Sequence, residues 1–466
     1  MTAHSPLRRR IEARPGRAGV AALVFVAVAA VSVLPSLSAL AEPTDRVTPK
    51  LLGEQGPARL WQVGEQRVLL LSGSPYEMGL QQGRLLAAEI RECVRLFLDF
   101  ALSRDGNTRE TFAAIWKAAE TDIPQRYKDE LRGLAEGSGA SLTDLQLLHV
   151  IPEKYHCSGA AAFGPATKDG KLYHTRSLDY AIDIGNREKT AQENALLVVY
   201  RPEEGAGFAH ANVAWAGFIG SITGMNAKGV SIGEMGSSSK NETFEGIPMI
   251  FMVREILHGA DGVESAVEIT RRCRRTAGYN FIYGDGKKPT AAAIEVNKDA
   301  VKVFPAGGSE ENVAPHFAIA HCVRRCNHFV DPELSKLQRE GYDPRFSSPG
   351  SWLGYHLISE YLVKQAGRLD AEAMIALLRG YPPDAPCLHQ AVFAPGDREI
   401  YVAVAKNPHK VRRPGAQNQV FYRYRLDRIL ASDPGPVELY APSSAQPPAE
   451  KPAPAPGAAP PGAGRR

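Results

Sequence analysis

One cysteine, Cys157, opens the run His156-Cys157-Ser158-Gly159-Ala160-Ala161-Ala162-Phe163. A Lys168-Asp169-Gly170 turn then leads into a second run that carries Arg176 and Asp179. The pattern predicts a hairpin, which returns the chain so that Arg176 and Asp179 reach the start of the first strand. A thiol beside a guanidinium and a carboxylate has its pKa drawn down by the cation and gains a polar anchor. That is a nucleophile's setting. The blander alternative is a buried core thiol, the usual fate of a cysteine in an apolar strand. Arg176 and Asp179 could likewise form a plain ion pair, but residues three apart on a strand face opposite ways. They are expected to flank a bend or to do two separate jobs.

These residues resemble the N-terminal-nucleophile hydrolases, most closely the acyl-coenzyme A:6-aminopenicillanate acyltransferase (isopenicillin N acyltransferase) family, relatives of choloylglycine hydrolase and acid ceramidase. The shared features are the cysteine followed by small and apolar residues, the Asp169-Gly170-Lys171 turn, and Arg176 with Asp179 three residues on. Upstream, the run from Gly73 through Ser74-Pro75-Tyr76-Glu77 to Gly83 resembles the family's opening helix. Downstream, Gly224 to Gly229 and Asn280-Phe281 also fit, so the resemblance spans roughly residues 60 to 410. It implies a precursor that cuts itself between His156 and Cys157, with His156 standing where many relatives carry glycine. After such a cut the Cys157 nitrogen is a free α-amine with a pKa of about 8, able to act as general base to its own thiol. The resemblance then gives Arg176 the task of holding the thiolate and Asp179 that of accepting a hydrogen bond from the new amine. Asn280 is its first choice of oxyanion donor and Asn226 its second. Asn226 precedes Ala-Lys-Gly, a place where asparagine commonly serves the turn itself.

No cofactor is expected. Cys322 and Cys326, with His316, His321 and His328, invite a zinc reading, but their spacing matches no familiar site. A disulfide or two buried thiols is expected there instead. The chain has six cysteines, so a nucleophilic Cys157 leaves an odd number and at least one further thiol.

The elements that must position these residues follow from patterning. The first 41 residues carry Arg8-Arg9-Arg10, an apolar run from Ala18 to Leu34, and Ala39-x-Ala41 before Glu42. They read as a secretory signal, with Sec and twin-arginine routes both open, so an exported protein is expected. Membrane contact is expected only if that segment stays uncut. Residues 42–156 are expected to be a helical pro-segment that becomes a small subunit. A strand is predicted over Val63–Leu71 and a capping box at Ser74 to Glu77 with Pro75 at the first helical position. Helices follow from Leu86 to Leu98 and over 111–120, 124–136 and 141–150.

Past Cys157 the texture changes to hairpins. Strands are predicted over 172–180, 195–201, 208–216, 221–225 and 230–235, then helices over 248–257 and 263–272. Strands at 280–283 and 291–296, helices at 351–365 and 371–379, and strands at 387–393 and 399–404 complete a catalytic domain of residues 157–440. Two sheets covered by helices make an α+β arrangement. By resemblance it is the four-layer αββα sandwich with an N-terminal helical pro-segment. Residues 441–466 are rich in Pro, Ala and Gly and too poor in apolar patterning to fold.

A hydrophobic share of 44% supports a large core, and the formal charge of +4 lies mostly at the two ends. Nothing favours nucleic acid. The leading reading is a self-processing cysteine amidohydrolase or acyltransferase that cleaves a linear amide through a Cys157 thioester, its partners a small N-acyl amide and its own small subunit. Alternatives are an N-acyltransferase using acyl-coenzyme A, for which Arg271, Arg272, Arg274 and Arg275 are the one dense cationic cluster, a papain-like protease, and a non-catalytic exported binding protein. The papain signature is missing, and His156 is poorly placed as a separate base.

Overall fold

The computed structural model describes residues 45–104, 106–151, 156–339, 349–380 and 387–442. The expected signal segment and the Pro/Ala-rich tail lie outside the described residues.

Before Cys157 come β1 (Asp45–Val47), β2 (Lys50–Gln55), β3 (Ala58–Val63) and β4 (Gln66–Gly73). The helices α1 (Pro75–Leu85), α2 (Ala87–Leu102), α3 (Arg109–Ala119), α4 (Gln125–Ser138) and α5 (Leu142–Leu148) follow. The capping box at Ser74 forms as expected: the Glu77 carboxylate accepts from the Ser74 N–H at 2.8 Å and Pro75 opens the helix. The expected helical block is therefore present. The described part of the segment also holds four strands, of which the sequence suggested one; the predicted Val63–Leu71 strand is mainly β4, because a left-handed Gly64 turns the chain between β3 and β4.

The remainder opens with β5 (His156–Gly164) and β6 (Gly170–Asp179), then β7 (Ala195–Pro202), β8 (His210–Trp215), β9 (Thr223–Asn226) and β10 (Val230–Gly236). Helices α6 (Met249–Gly259) and α7 (Val263–Arg272) precede β11 (Tyr279–Asp285), β12 (Thr290–Val296), β13 (Val301–Pro305) and β14 (Cys322–Arg325). After α8 (Pro332–Lys336), α9 (Pro349–Lys364) and α10 (Ala371–Gly380) come β15 (Cys387–Ala394) and β16 (Glu399–Val404). The sheet does not close at β16: β17 (Phe421–Arg425), α11 (Leu426–Leu430) and β18 (Val437–Tyr440) continue it.

Two sheets result. One runs β1-β18-β17-β16-β15-β6-β5-β14, the other β13-β12-β11-β10-β9-β8-β7-β4-β3-β2. Helices α6 and α7 cover the outer face of the longer sheet, while α9 and α10 cover that of the shorter. The sheets pack face to face, with Trp61, Leu70, Val199 and Val213 of one meeting Phe393, Ile400 and Tyr422 of the other. This is a four-layer αββα sandwich. Residues 45–73 contribute to both sheets: β4 pairs in parallel with β7, and β1 pairs with β18. A boundary at Cys157 therefore falls within a shared core.

Helices α1 and α4 touch through glycines. A Cβ on Gly79 would lie 2.0 Å from the Glu130 carbonyl oxygen, and one on Gly133 would lie 2.0 Å from that of Tyr76. The glycines of the opening-helix signature thus serve close backbone approach. Gly133→Ala is expected to cost at least roughly 1–3 kcal/mol, as overpacking does, read as a lower denaturant midpoint at unchanged m. A wild-type midpoint would show that the two helices do not meet this way.

Candidate active site

The β5–β6 hairpin sets Cys157 opposite Leu178 and Gly159 opposite Arg176. Cys157 is buried, and its Sγ accepts a hydrogen bond from Arg176 Nη2 at 3.1 Å. Arg176 is itself fully buried between the sheets. Its Nε and Nη2 each donate to the Glu234 carbonyl oxygen at 3.2 Å, and Nη2 lies 3.4 Å from the Glu234 carboxylate. Nη1 lies 3.3 Å from His389 Nε2. Gly233 on β10 makes room for this side chain, since a Cβ there would stand 2.7 Å from Arg176 Cγ.

Asp179 faces the other way, as strand parity requires. Its Oδ1 accepts from Ser177 Oγ at 2.7 Å and from the Cys387 thiol at 2.8 Å. Ser177 in turn accepts from Gln390, which also donates to the Leu378 carbonyl of α10. Arg176 and Asp179 therefore serve two separate surroundings rather than one ion pair. Asp179 lies opposite His156 in register, beside the amide that would be cut. Burial raises its pKa, against the hydrogen bonds from Cys387 and Ser177 and the charge of Arg176.

The expectation of a lowered thiol pKa is not met in the intact chain. Burial pushes the Cys157 thiol up, and this outweighs the nearby Arg176 cation, while Glu234 and Asp179 raise it further. The reason is desolvation: a fully buried thiolate loses more hydration than one hydrogen-bonded guanidinium returns.

The two asparagines chosen from sequence do not offer their amides to Cys157. Asn226 donates to the carbonyls of Leu257 and Ala260, while its oxygen accepts from the N–H groups of Lys228 and Val230. It is a turn and helix-end tie. Asn280 donates both protons, at 2.8 Å each, to the carbonyls of Cys326 and His328. Those carbonyls bracket Asn327, whose Oδ1 accepts from the Cys157 N–H at 2.6 Å and whose Nδ2 donates to the Gly236 carbonyl. Asn280 thus holds the neighbours of the amide that touches Cys157. In the β5–β14 register Arg325 faces Gly159, and two more residues along each strand bring Asn327 opposite Cys157.

Sequence reasoning missed Glu234, Asn327, His389 and the Cys387–Asp179 contact. A signal existed for two of them. Glu234 is the one charged residue in a fully patterned core strand, and Asn327 comes two residues after Arg325, which with Arg324 is fully buried and so demands placed partners. Arg325 donates to Glu295 and Glu311 at 2.8 Å each, and Glu295 also accepts from the Val330 and Asp331 N–H groups. The loop that carries Asn327 is clamped by that carboxylate.

Cys322 and Cys326 are both buried, and no disulfide forms among the described residues. His316 and His328 meet through their Nε2 atoms at 3.3 Å, and among the described residues no group of three ligands converges as a metal site. The basic cluster is largely committed. Arg271 pairs with Glu268, Arg274 with Glu245, and Arg275 ties the carbonyls of Thr270, Cys273 and Asn297. Near His389 lies a tight apolar cavity of about 10 Å³. Phe97, Leu148 and Ile151 line it from before Cys157, and Trp215, Phe218, Ile222 and Leu388 from after.

Residues 168–408, just over half of the chain, match the family model described as Acyl-coenzyme A:6-aminopenicillanic acid acyl-transferase. The match includes Arg176, Asp179, Glu234, Asn280, Asn327 and His389 and begins after Cys157. Protein dcd1B of Dictyostelium discoideum is 25% identical over 427 residues, which cover 83% of this chain and 80% of that protein. Protein dcd1A of the same organism is 27% identical over 55% of this chain and 65% of its own length. Among solved structures, a Caenorhabditis elegans N-acylethanolamine-hydrolyzing acid amidase (NAAA) ortholog is 18% identical, covering 52% of this chain and 93% of that one with a TM-score of 0.39. Penicillin V acylase from Agrobacterium tumefaciens is 12% identical, covering 57% and 91% with a TM-score of 0.33.

Arg176→Ala removes the cation that favours thiolate, so Cys157 should need a higher pH to react with iodoacetamide, by about one unit or more. It should also destabilise the protein by about 3–5 kcal/mol, because Glu234 is left buried without its counter-charge. An alkylation profile identical to wild type would leave Arg176 as a structural partner of Glu234 alone.

Proposed function

This chain belongs to the acyl-coenzyme A:6-aminopenicillanic acid acyl-transferase family, and we propose that it is a self-processing cysteine amidohydrolase that cleaves linear N-acyl amides through a Cys157 thioester. The observation that carries this reading is the pair of contacts on one residue: Arg176 Nη2 at 3.1 Å from Sγ, and Asn327 Oδ1 at 2.6 Å from the nitrogen. Both atoms that the chemistry needs are already held.

In processing, Sγ adds to the His156 carbonyl carbon, the thiol proton passes to the Cys157 nitrogen, and the bond from that carbon to the nitrogen breaks. Water then hydrolyses the resulting thioester, leaving a carboxylate on His156 and an α-amine on Cys157. That amine titrates at about 8 and takes the thiol proton of its own residue. Asn327 Oδ1, bonded to the same nitrogen before the cut, keeps one of its protons and so aims the lone pair. Sγ then adds to the substrate carbonyl and the tetrahedral oxyanion collapses. The leaving amine departs with the proton, and water hydrolyses the thioester. Asn327 is the side-chain amide in contact with the Cys157 nitrogen and shares the task that sequence reasoning gave to Asp179, accepting a hydrogen bond from the new amine.

An apolar acyl group is part of this reading, since recognition in such sites rests on an apolar pocket with few polar anchors. Coenzyme A phosphates would need available cations, and the cluster at Arg271 to Arg275 is mostly spent on its own carboxylates and carbonyls. An amide is therefore favoured over an acyl-coenzyme A ester as the acyl donor. The signal-like first 41 residues support export as part of the same reading.

Intact mass and N-terminal sequencing test the cut. From 50.5 kDa over 466 residues, Glu42–His156 should weigh about 12 kDa and Cys157–Arg466 about 34 kDa. The two should co-elute, because β4 is bonded into β7 and the buried Arg254 reaches Glu130 at 3.2 Å. Cys157→Ala should abolish both processing and turnover, whereas Cys157→Ser could process slowly and turn over poorly. An active preparation running as one uncut chain, or substantial amidase activity in Cys157→Ala, would sink the reading.

A panel of N-acyl amides, peptides and acyl-coenzyme A esters tests the substrate class. Turnover of N-acyl amides ahead of the other two is expected. Cleavage of peptides alone would overturn the assignment.

A further inference from the structure

His389 lies on β15, fully buried, opposite Leu178 of β6 and Val404 of β16. Its Nε2 is 3.3 Å from Arg176 Nη1 and 3.0 Å from Thr223 Oγ1. A guanidinium has donors only, so the ring nitrogen that meets it must present its lone pair. The ring proton is thereby assigned to Nδ1. Burial and the Arg176 charge both hold the imidazole neutral, with its pKa well below the usual histidine range. The charged groups around it are Arg176 from β6 and, beyond the guanidinium, Glu234 from β10. Thr223 of β9 and Trp215 of β8, whose ring centroid lies 5.8 Å away, are uncharged.

The guanidinium is gripped unequally. Along its Nε–Nη2 edge it meets the Glu234 carbonyl and carboxylate, all belonging to β10. Those contacts draw it toward one sheet and leave Nη1 to be fixed from the other. His389 Nε2 does that from β15, and the Thr223 hydroxyl on the same nitrogen holds the ring in turn. A planar fork held at both ends keeps one orientation. In that orientation Nη2 meets Cys157 Sγ.

We propose that neutral His389 is a positioning residue that fixes the orientation of Arg176 so that the guanidinium meets the Cys157 sulfur. This rests on Cys157 being the nucleophile. His389 does not touch the reacting atoms and acts through Arg176.

The test compares His389→Leu, which removes the acceptor at similar bulk, with His389→Gln, which returns an acceptor oxygen. Each is assayed for the pH dependence of Cys157 alkylation by iodoacetamide and for kcat and KM on an N-acyl amide. His389→Leu should move the alkylation midpoint up by about one pH unit. It should lower kcat about ten-fold, as loss of a hydrogen bond to a charged group does, with KM nearly unchanged. His389→Gln should return both most of the way. If Arg176→Ala moves the midpoint and His389→Leu does not, or if Leu and Gln behave alike, the positioning role is overturned and the nucleophile reading stands. If neither Arg176→Ala nor His389→Leu moves it, both fall. A measurement on the unaltered protein decides the matter even if His389→Leu does not fold. Nitrogen NMR of the His389 ring should report a neutral Nδ1–H tautomer from about pH 5 to 8, and an Nε2–H tautomer would overturn the proposal.

Discussion

A guanidinium without water is the constraint around which the centre of this protein is built. Arg176 lies between two sheets with no exposed surface, and a charge so placed must meet a counter-charge and acceptors in fixed positions. Glu234 supplies the charge and a main-chain oxygen, His389 a ring nitrogen, and Cys157 a sulfur. Small residues sit around this hairpin. Gly233 leaves the space that the Arg176 stem fills, and a Cβ on Gly159, opposite Arg176 in the hairpin, would lie 2.9 Å from the Thr175 carbonyl oxygen. The gain is geometric: a sulfur facing a cation that cannot turn away.

A second set of buried charges does similar work for the Cys157 nitrogen. Arg325, one residue before Cys326, is held by Glu295 and Glu311, and Glu295 also grips the backbone just past His328. Asn280 ties the carbonyls between these points. Asn327 is thus carried on a short loop clamped on both sides. Sulfur and nitrogen of the same residue are addressed from different strands, one by Arg176 of β6 and the other by a loop after β14.

The segment before Cys157 is woven into both sheets and also lines the apolar cavity near His389. A cut at Cys157 would free a chain end without removing a layer of the core. Buried contacts such as Glu130 with Arg254, and the His149 ring nitrogen with the Ile219 N–H at 2.9 Å, join the two sides.

Local pattern alone determined the β5–β6 hairpin with Cys157, Arg176 and Asp179 in it, the cap at Ser74, most of the helices and the strands with alternating side chains. Each depends on residues a few positions apart, whose spacing shows which face is apolar. The short strands β1, β2, β13, β14, β17 and β18 escaped that reading. β2 is mostly exposed, and β14 carries two arginines that look like surface residues until their partners are known. Opposite facing of Arg176 and Asp179 was legible from strand parity, whereas the contact of Asn327 with the Cys157 nitrogen was not. Asn327 lies 170 residues from Cys157, and His389 lies 213 from Arg176. Pairing at that separation is set by sheet order and register, which leave no periodic trace in the chain. The sign of the Cys157 pKa shift was likewise decided by the fold, since a sequence shows the neighbouring charge but not how much water is lost around the sulfur.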